Sequence, residues 1–174
     1  DLIERILKGR YVNASDGEKL FFDDKNFTRL NYSSSGQQES IWIILLIFLI
    51  ILDNKKVFVV FEEPEAHLYP VAQKEIVELI SLLTNNMNNQ IIITTHSPYI
   101  LSSINNLLYA FKIGEKRKDN VKKIIAERLW INPKQFQAFY ISEGCKLNIM
   151  DRINGLIKTE AIDNASELIN FTYN

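Results

Sequence analysis

The sequence predicts an α/β fold built on a parallel βαβ unit, and three observations carry that expectation. Val57 to Phe61 (VFVVF) and Ile91 to Thr95 (IIITT) are short β-branched and aromatic runs, the pattern of strands buried on both faces. Between them, Pro70 suits a first helical position, and Ala72, Ile76, Leu79, Ile80 and Leu83 recur at helical spacing. Strand, helix and strand in so short a stretch imply parallel strands joined by a right-handed crossover.

The other elements follow in chain order. Residues 1–30 read as a β-containing lead-in: an amphipathic start, a turn at Asp16-Gly17, and an apolar run with Leu20, Phe21, Phe22 and Phe27. Ser33 to Gly36 breaks the pattern ahead of a helix. Its Ile41–Leu52 stretch (IWIILLIFLIIL) is twelve apolar residues, short of the roughly 17–25 that span a bilayer. Asp53, Lys55 and Lys56 end it, so a helix buried on all sides of an α/β core is expected, with no membrane partner. Asn85 to Asn89 (NNMNN) reads as a turn. Beyond the second strand, Leu107–Ile113 and Lys122–Leu129 read as strands flanking the charged turn GEKRKDN. Phe136–Ser142 and Lys146–Met150 read as a hairpin around Glu143-Gly144, and Ile162, Ala165, Leu168 and Ile169 as one face of a closing helix. No internal repeat or Pro- or Gly-rich linker divides the chain, so residues 1–174 read as one domain.

Composition narrows the function classes. With 174 residues, 47% hydrophobic and 24% charged, the chain is long and apolar enough for a real core and is neither disordered nor fibrous. A net charge of −1 predicts no strong overall attraction to nucleic acid or anionic membrane. Cys145 is the sole cysteine, which excludes an intrachain disulfide and suits a reducing, cytoplasmic setting. The opening residues are charged rather than secretory, and the first is not Met, so a processed or cut N-terminus is expected.

Chemistry-bearing residues gather at three places. Ser33-Ser34-Ser35-Gly36-Gln37-Gln38-Glu39 stands at a helix start, where unpaired N–H groups and small residues admit a phosphate. A capping box, Ser with Gln or Glu three residues on, explains the same residues without a ligand. Glu62-Glu63-Pro64-Glu65 follows the first strand, at the edge where open α/β sheets bind ligands. One carboxylate there can hold Mg²⁺ and the next can orient or deprotonate a water; a solvated polar turn is the plainer reading. His96 follows the second strand in TTHSP, where an imidazole can bond a phosphate or serve structure alone.

Taken together, residues 33–101 resemble the head of an ATP-binding-cassette (ABC) ATPase, in motif order and spacing. SSSGQQE resembles a variant of the LSGGQ signature, VFVVFEEPE a Walker B strand with its catalytic glutamate, Ala66 to Tyr69 the D-loop, and His96 the switch histidine. EEPEAHLYP and TTHSPYIL resemble the bacterial AAA/ABC-type ATPases of the OLD and abortive-infection kind, relatives of chromosome-maintenance and recombination-repair heads. The resemblance implies that Ser34, Ser35 and Gly36, with Gln37, address the γ-phosphate of ATP held by a partner subunit in a homodimer. It implies further that Glu62 supports Mg²⁺, that Glu63 polarises the attacking water, and that His96 senses the γ-phosphate. Two residues depart from the pattern: Glu62 replaces the commoner Asp, and Tyr69 stands where the D-loop has Asp.

A phosphate-gripping P-loop requires G-x-x-x-x-G-K-[ST]. None of Gly9, Gly17, Gly36, Gly114, Gly144 and Gly155 is followed by lysine. The expectation is therefore the C-terminal half of a P-loop NTPase head, which alone neither binds ATP tightly nor hydrolyses it, with a degenerate head as the lesser alternative. Two other classes stay open: a non-catalytic ABC-like docking module, and a metal-dependent nuclease using Glu62, Glu63, Glu65 and His67. The basic cluster Lys112, Lys116, Arg117, Lys118, Lys122 and Lys123 reads as a solvated turn or a DNA contact, and an effector nuclease or toxin is the other partner class.

Overall fold

The lead-in is a short helix, α1 (Leu2–Leu7), followed by an antiparallel meander of β1 (Arg10–Ala14), β2 (Gly17–Phe21) and β3 (Phe27–Arg29). The turn falls on Ser15-Asp16, one residue ahead of the Asp16-Gly17 expected, and Gly17 opens β2 at φ +117°, a conformation other residues avoid. Helix α2 (Ser35–Asp53) comes next and ends at Asn54 in the left-handed conformation. Strand β4 (Phe58–Glu62), helix α3 (Pro70–Asn85) and strand β5 (Gln90–Thr94) complete the expected βαβ unit. β4 and β5 pair in parallel, in register from Phe58 opposite Gln90 to Glu62 opposite Thr94. Asn89 fixes the far end of the pair: its side chain accepts from Val57 N at 2.8 Å and donates to Leu83 O at 2.9 Å.

This computed structural model describes residues 2–86 and 89–158, and the chain divides into two compact units, Asp1–Thr95 and His96–Asn174. The core of the first unit joins α1, β2, α2 and α3 through Leu7, Leu20, Ile41, Ile47, Ile76 and Leu83.

Two expectations about burial are corrected here. The apolar run of α2 is not buried on all sides: Ile41, Ile44 and Ile47 are buried, whereas Trp42 is 63% exposed and Phe48, Leu49 and Leu52 are exposed as well. Residues three apart share one helical face, and it is that face that packs on α1 and α3. Among the described residues α2 is the one helix long and apolar enough, by length and composition, to cross a membrane, at 19 residues. Nor are the strands buried on both faces, since Phe58, Val60 and Ile92 are exposed while Val59, Phe61, Ile91 and Ile93 turn inward. A sheet of two strands, covered by helices on one side, buries alternate residues.

In the second unit, helix α4 (Pro98–Lys122) stands where strands were expected at Leu107–Ile113 and from Lys122. The periodicity decides it: Ile100, Leu101, Ile104, Leu107 and Leu108 are all buried, at helical spacing, behind a Pro at the start and a Ser97 cap. The helix is kinked at Arg117 (φ −137°, ψ 47°). At Gly114 a Cβ would come within 2.1 Å of the Trp130 ring, so glycine is needed for that approach. Glu127–Leu129 is a short 3-10 turn rather than a strand. The basic cluster accordingly lies on the last turns of α4 and just beyond, not around a hairpin. There Lys118 and Lys122 both pair with Glu127, at 2.5 and 2.8 Å, and Lys112 donates to Asn154 O. The hairpin expected around Glu143-Gly144 forms, as β6 (Phe139–Ser142) and β7 (Cys145–Asn148), with both turn residues at positive φ. The closing helix predicted through Ile162, Ala165, Leu168 and Ile169 lies outside the described residues.

Candidate functional site

β4 ends on Glu62, opposite Thr94 of β5, and the chain then turns at once. Glu63 adopts left-handed backbone at φ +44° and donates its N–H to Thr94 O at 2.9 Å. For a residue with a Cβ this conformation costs about 1–2 kcal/mol, so surrounding bonds must hold it. They do: Glu63 O accepts from Ala66 N and Glu65 O from Leu68 N, each at 2.9 Å, and His67 is again left-handed at φ +58°. Glu62 and Glu63 are exposed, while Pro64 and Glu65 are buried. The loop thus offers two adjacent carboxylates to solvent at the C-terminal edge of parallel strands, the edge at which such sheets bind ligands.

Glu65 is only 8% exposed, and its carboxylate accepts the hydroxyl of Thr95. The bond ties the loop after β4 to the residue following β5. Sequence reasoning gave Glu65 no part in an ATPase. Its partner stands 30 residues on, beyond the reach of any local pattern, and the one available signal was a glutamate placed behind a proline next to two others.

At the start of α2 the side chains of Ser34 and Gln37 form the capping box that the sequence allowed. Ser34 Oγ accepts from Gln37 N at 3.4 Å, and Gln37 Oε1 accepts from Ser34 N at 3.1 Å. Gln37 Nε2 also donates to Leu7 O at 2.6 Å, which fastens α1 to the same point. Ser34 and Ser35 are exposed, but Gly36 is buried. A Cβ on Gly36 would lie 2.5 Å from the carbonyl oxygen of His67 and 3.2 Å from the Leu68 side chain. The glycine therefore lets the helix start close onto the loop that carries Glu63. Near the same contact, His67 Nε2 lies 3.6 Å from Glu39 Oε1, both side chains being exposed.

Tyr69 caps α3 with no side-chain hydrogen bond and is exposed, with the Lys8 ammonium 5.5 Å from its ring centroid. His96 opens the second unit, is exposed, and stands two residues beyond the end of β5. Mg²⁺ is commonly held by one or two carboxylates together with water and substrate phosphates, and the exposed carboxylate of Glu62 fits that demand. Among the described residues no three His, Cys, Asp or Glu side chains gather as a metal cluster. The nuclease reading through Glu62, Glu63, Glu65 and His67 therefore has no assembled ligand set.

A family model described as an AAA ATPase domain matches residues 1–101. Protein ea59 of Escherichia phage lambda is 33% identical over 113 residues, covering 60% of this chain and 21% of that protein. The chain thus spans about a fifth of the length of that relative. Among solved structures, a chain from work on ATP-driven dimerisation and DNA-stimulated activation of SMC ATPases aligns with a TM-score of 0.55. The sequences are 12% identical, and the alignment covers 97% of this chain and 86% of the other. The mixed α/β architecture is that of the SMC ATPase head fold.

Proposed function

Because the chain belongs to the AAA ATPase domain family, a family that hydrolyses ATP, we propose that it supplies the catalytic edge and the signature face of an ATP-hydrolysing head. The observation that carries this reading is the packing of Gly36 against the carbonyl of His67. That contact joins the signature-like helix start and the carboxylate-bearing loop into one piece, within a single unit of the chain.

Each residue then has a role. Glu63 accepts a proton from the water that attacks the γ-phosphate, or orients that water, as a positioned general base does. Its backbone bond to Thr94 O keeps the carboxylate at the strand edge. Glu62 holds the Mg²⁺ that neutralises phosphate charge when nucleotide is bound. His96 bonds the γ-phosphate and reports its loss. Ser34 and Ser35, exposed at the N-terminus of a helix whose dipole favours anions, address the nucleotide of a second copy of the chain. The working state is accordingly a homodimer clasping ATP between subunits. No G-x-x-x-x-G-K-[ST] occurs in the 174 residues, so the phosphate grip is provided by protein outside them. The resemblance of EEPEAHLYP and TTHSPYIL to the OLD and abortive-infection ATPases supports an anti-phage or DNA-related ATPase that acts with DNA or with an effector nuclease or toxin, and the single cysteine suits a cytoplasmic setting.

The test is Glu63→Gln in the ATP-hydrolysing protein that contains this domain. The amide keeps the shape but cannot take a proton, so turnover is expected to fall by about 10²–10⁴, with ATP affinity retained and the dimer trapped. Near-normal turnover in that variant would remove Glu63 from the chemistry.

A further inference from the structure

We propose that Glu65 and Thr95 form a positioning pair that holds the Glu63 loop in its catalytic shape. The proposal rests on the reading of Glu63 as the water-polarising carboxylate. Glu63 sits in a left-handed conformation that its side chain does not favour, at φ +44°. It is kept there by backbone bonds at the strand edge, from Glu63 N to Thr94 O and from Ala66 N to Glu63 O. Those bonds lie at the end of a ladder, where fraying is easiest. Two residues on, Glu65 is buried and accepts the Thr95 hydroxyl, one residue beyond the end of β5. The side-chain bond therefore closes a ring around Glu63: β4 leads into the loop, the loop is anchored by Glu65, and Thr95 continues the strand that Glu63 already touches. Buried polar side chains are held by their hydrogen bonds. Removing the Thr95 hydroxyl weakens the anchor at Glu65, and the Glu63 turn two residues earlier is loosened with it. The same bond fixes Thr95, the residue directly before His96 in the chain. Glu65 touches neither water nor phosphate in this account; it acts through Glu63.

The experiment uses the ATP-hydrolysing protein that contains this domain, with two readouts. Thr95→Val keeps the volume and removes the hydroxyl. Its kcat is expected to fall by about 10- to 100-fold, the effect of a small misplacement, while the KM for ATP stays within about threefold. Thr95→Ser restores the hydroxyl and should recover kcat. Glu65→Gln, whose amide oxygen can still accept the bond, should lose less than Glu65→Ala. The double variant Glu65→Ala/Thr95→Val should be no slower than Glu65→Ala alone, because partners in one interaction are not additive. The second readout is hydrogen exchange at the Glu63 and Ala66 amides, which should speed up in Thr95→Val and return to normal in Thr95→Ser. Wild-type kcat and unchanged exchange in Thr95→Val overturn the proposal. So does a loss confined to KM, or strictly additive losses in the double variant. Glu63→Gln run in parallel separates the two claims. If it retains turnover, the assignment of Glu63 fails, and the exchange data still decide whether Glu65 and Thr95 hold the loop.

Discussion

Helices α2 and α3 lie side by side in the first unit and treat polarity in opposite ways. α3 buries Gln73, Glu75, Glu78 and Ser81 along with its apolar face, whereas α2, the more apolar helix, leaves Trp42, Phe48, Leu49 and Leu52 exposed. Side-chain chemistry alone would predict the reverse. The difference is one of neighbours. α3 packs against both α1 and α2, and Arg5 of α1 reaches Glu75 at 3.3 Å and Glu78 at 3.8 Å. α2 buries Ile41, Ile44 and Ile47 fully and Ile43, Leu45 and Ile50 in part, and leaves the rest of its apolar run uncovered. The β4–β5 sheet likewise leaves Phe58, Val60 and Ile92 exposed. Large apolar side chains exposed together on one helix face are the kind of surface that a partner covers. On the proposed function, further layers of an ATPase head would pack there.

The sharpest way to break that contrast is to truncate one leucine on each helix. Leu83 of α3 is 0% exposed and Leu49 of α2 is 61% exposed. Leu83→Ala is expected to cost about 2–5 kcal/mol by urea unfolding, the cavity and transfer cost of a core leucine. Leu49→Ala in the same chain should stay within about 0.5 kcal/mol, as surface changes do. Leu49→Lys sharpens the test: neutral in this chain, it should destabilise or inactivate an ATP-hydrolysing protein that contains this domain if α2 is covered there. Neutrality in both settings would make the exposed face an ordinary surface.

A smaller effect is expected at the contact between α2 and the loop after β4. Gly36→Ala places a methyl 2.5 Å from the His67 carbonyl oxygen. Backbone cannot swing aside as a side chain can, so an overpacking cost of about 1–3 kcal/mol follows. Measured by denaturant unfolding, the loss should be accompanied by faster hydrogen exchange at Ala66 and Leu68, whose amides close the loop. A stable variant with unchanged exchange would mean that α2 and the loop do not move as one.

These two regions also divide what was legible in the sequence from what was not. Val57–Phe61, Pro70 and Ile91–Thr95 carry their own periodicity, and the βαβ unit followed from them within a residue or so. The capping box at Ser34 and Gln37 was legible for the same reason, since its members are three apart. Burial was misjudged for α2 and β4 because an apolar run reports what a residue can pack against, not whether a partner is within reach. Leu107–Ile113 has the look of a strand by itself, and its helical character shows only together with Ile100, Leu101 and Ile104, which share the face of α4. At the candidate site, the residue types were visible, but the left-handed turns at Glu63 and His67 were not. Nor was the Thr95–Glu65 bond, or the contact of Gly36 with a carbonyl some thirty residues later. These are consequences of tertiary closure, and local propensity has no access to them.

The smallest expected effect concerns the charges that α3 buries. Burial pushes the carboxyl of Glu75 upward, and the nearby Glu78 adds to this, while Arg5, Lys74 and Lys8 pull the other way; the net direction is upward from the usual 4.5. A raised value means that the folded state holds its proton to higher pH than the unfolded chain does. As pH rises from below 4.5, the unfolded chain releases the proton first, so the contribution of Glu75 to stability is full in acid and is lost as pH passes through its raised folded value. At neutral pH the ionised group is therefore a mild liability, only partly offset by Arg5, whose side chain is 58% exposed and so well screened. Glu75→Gln removes the titration and leaves an oxygen that Arg5 can still bond. At pH 7 the variant should be as stable as the parent or more so, by no more than about 1 kcal/mol. Around pH 4 the difference should vanish or reverse, because the parent carboxyl is then protonated as well. Paired urea titrations at the two pH values read this directly. A variant clearly less stable than the parent at pH 7 would show that the Arg5 pair outweighs burial, and that α3 tolerates its buried charges because they are paired rather than in spite of their cost.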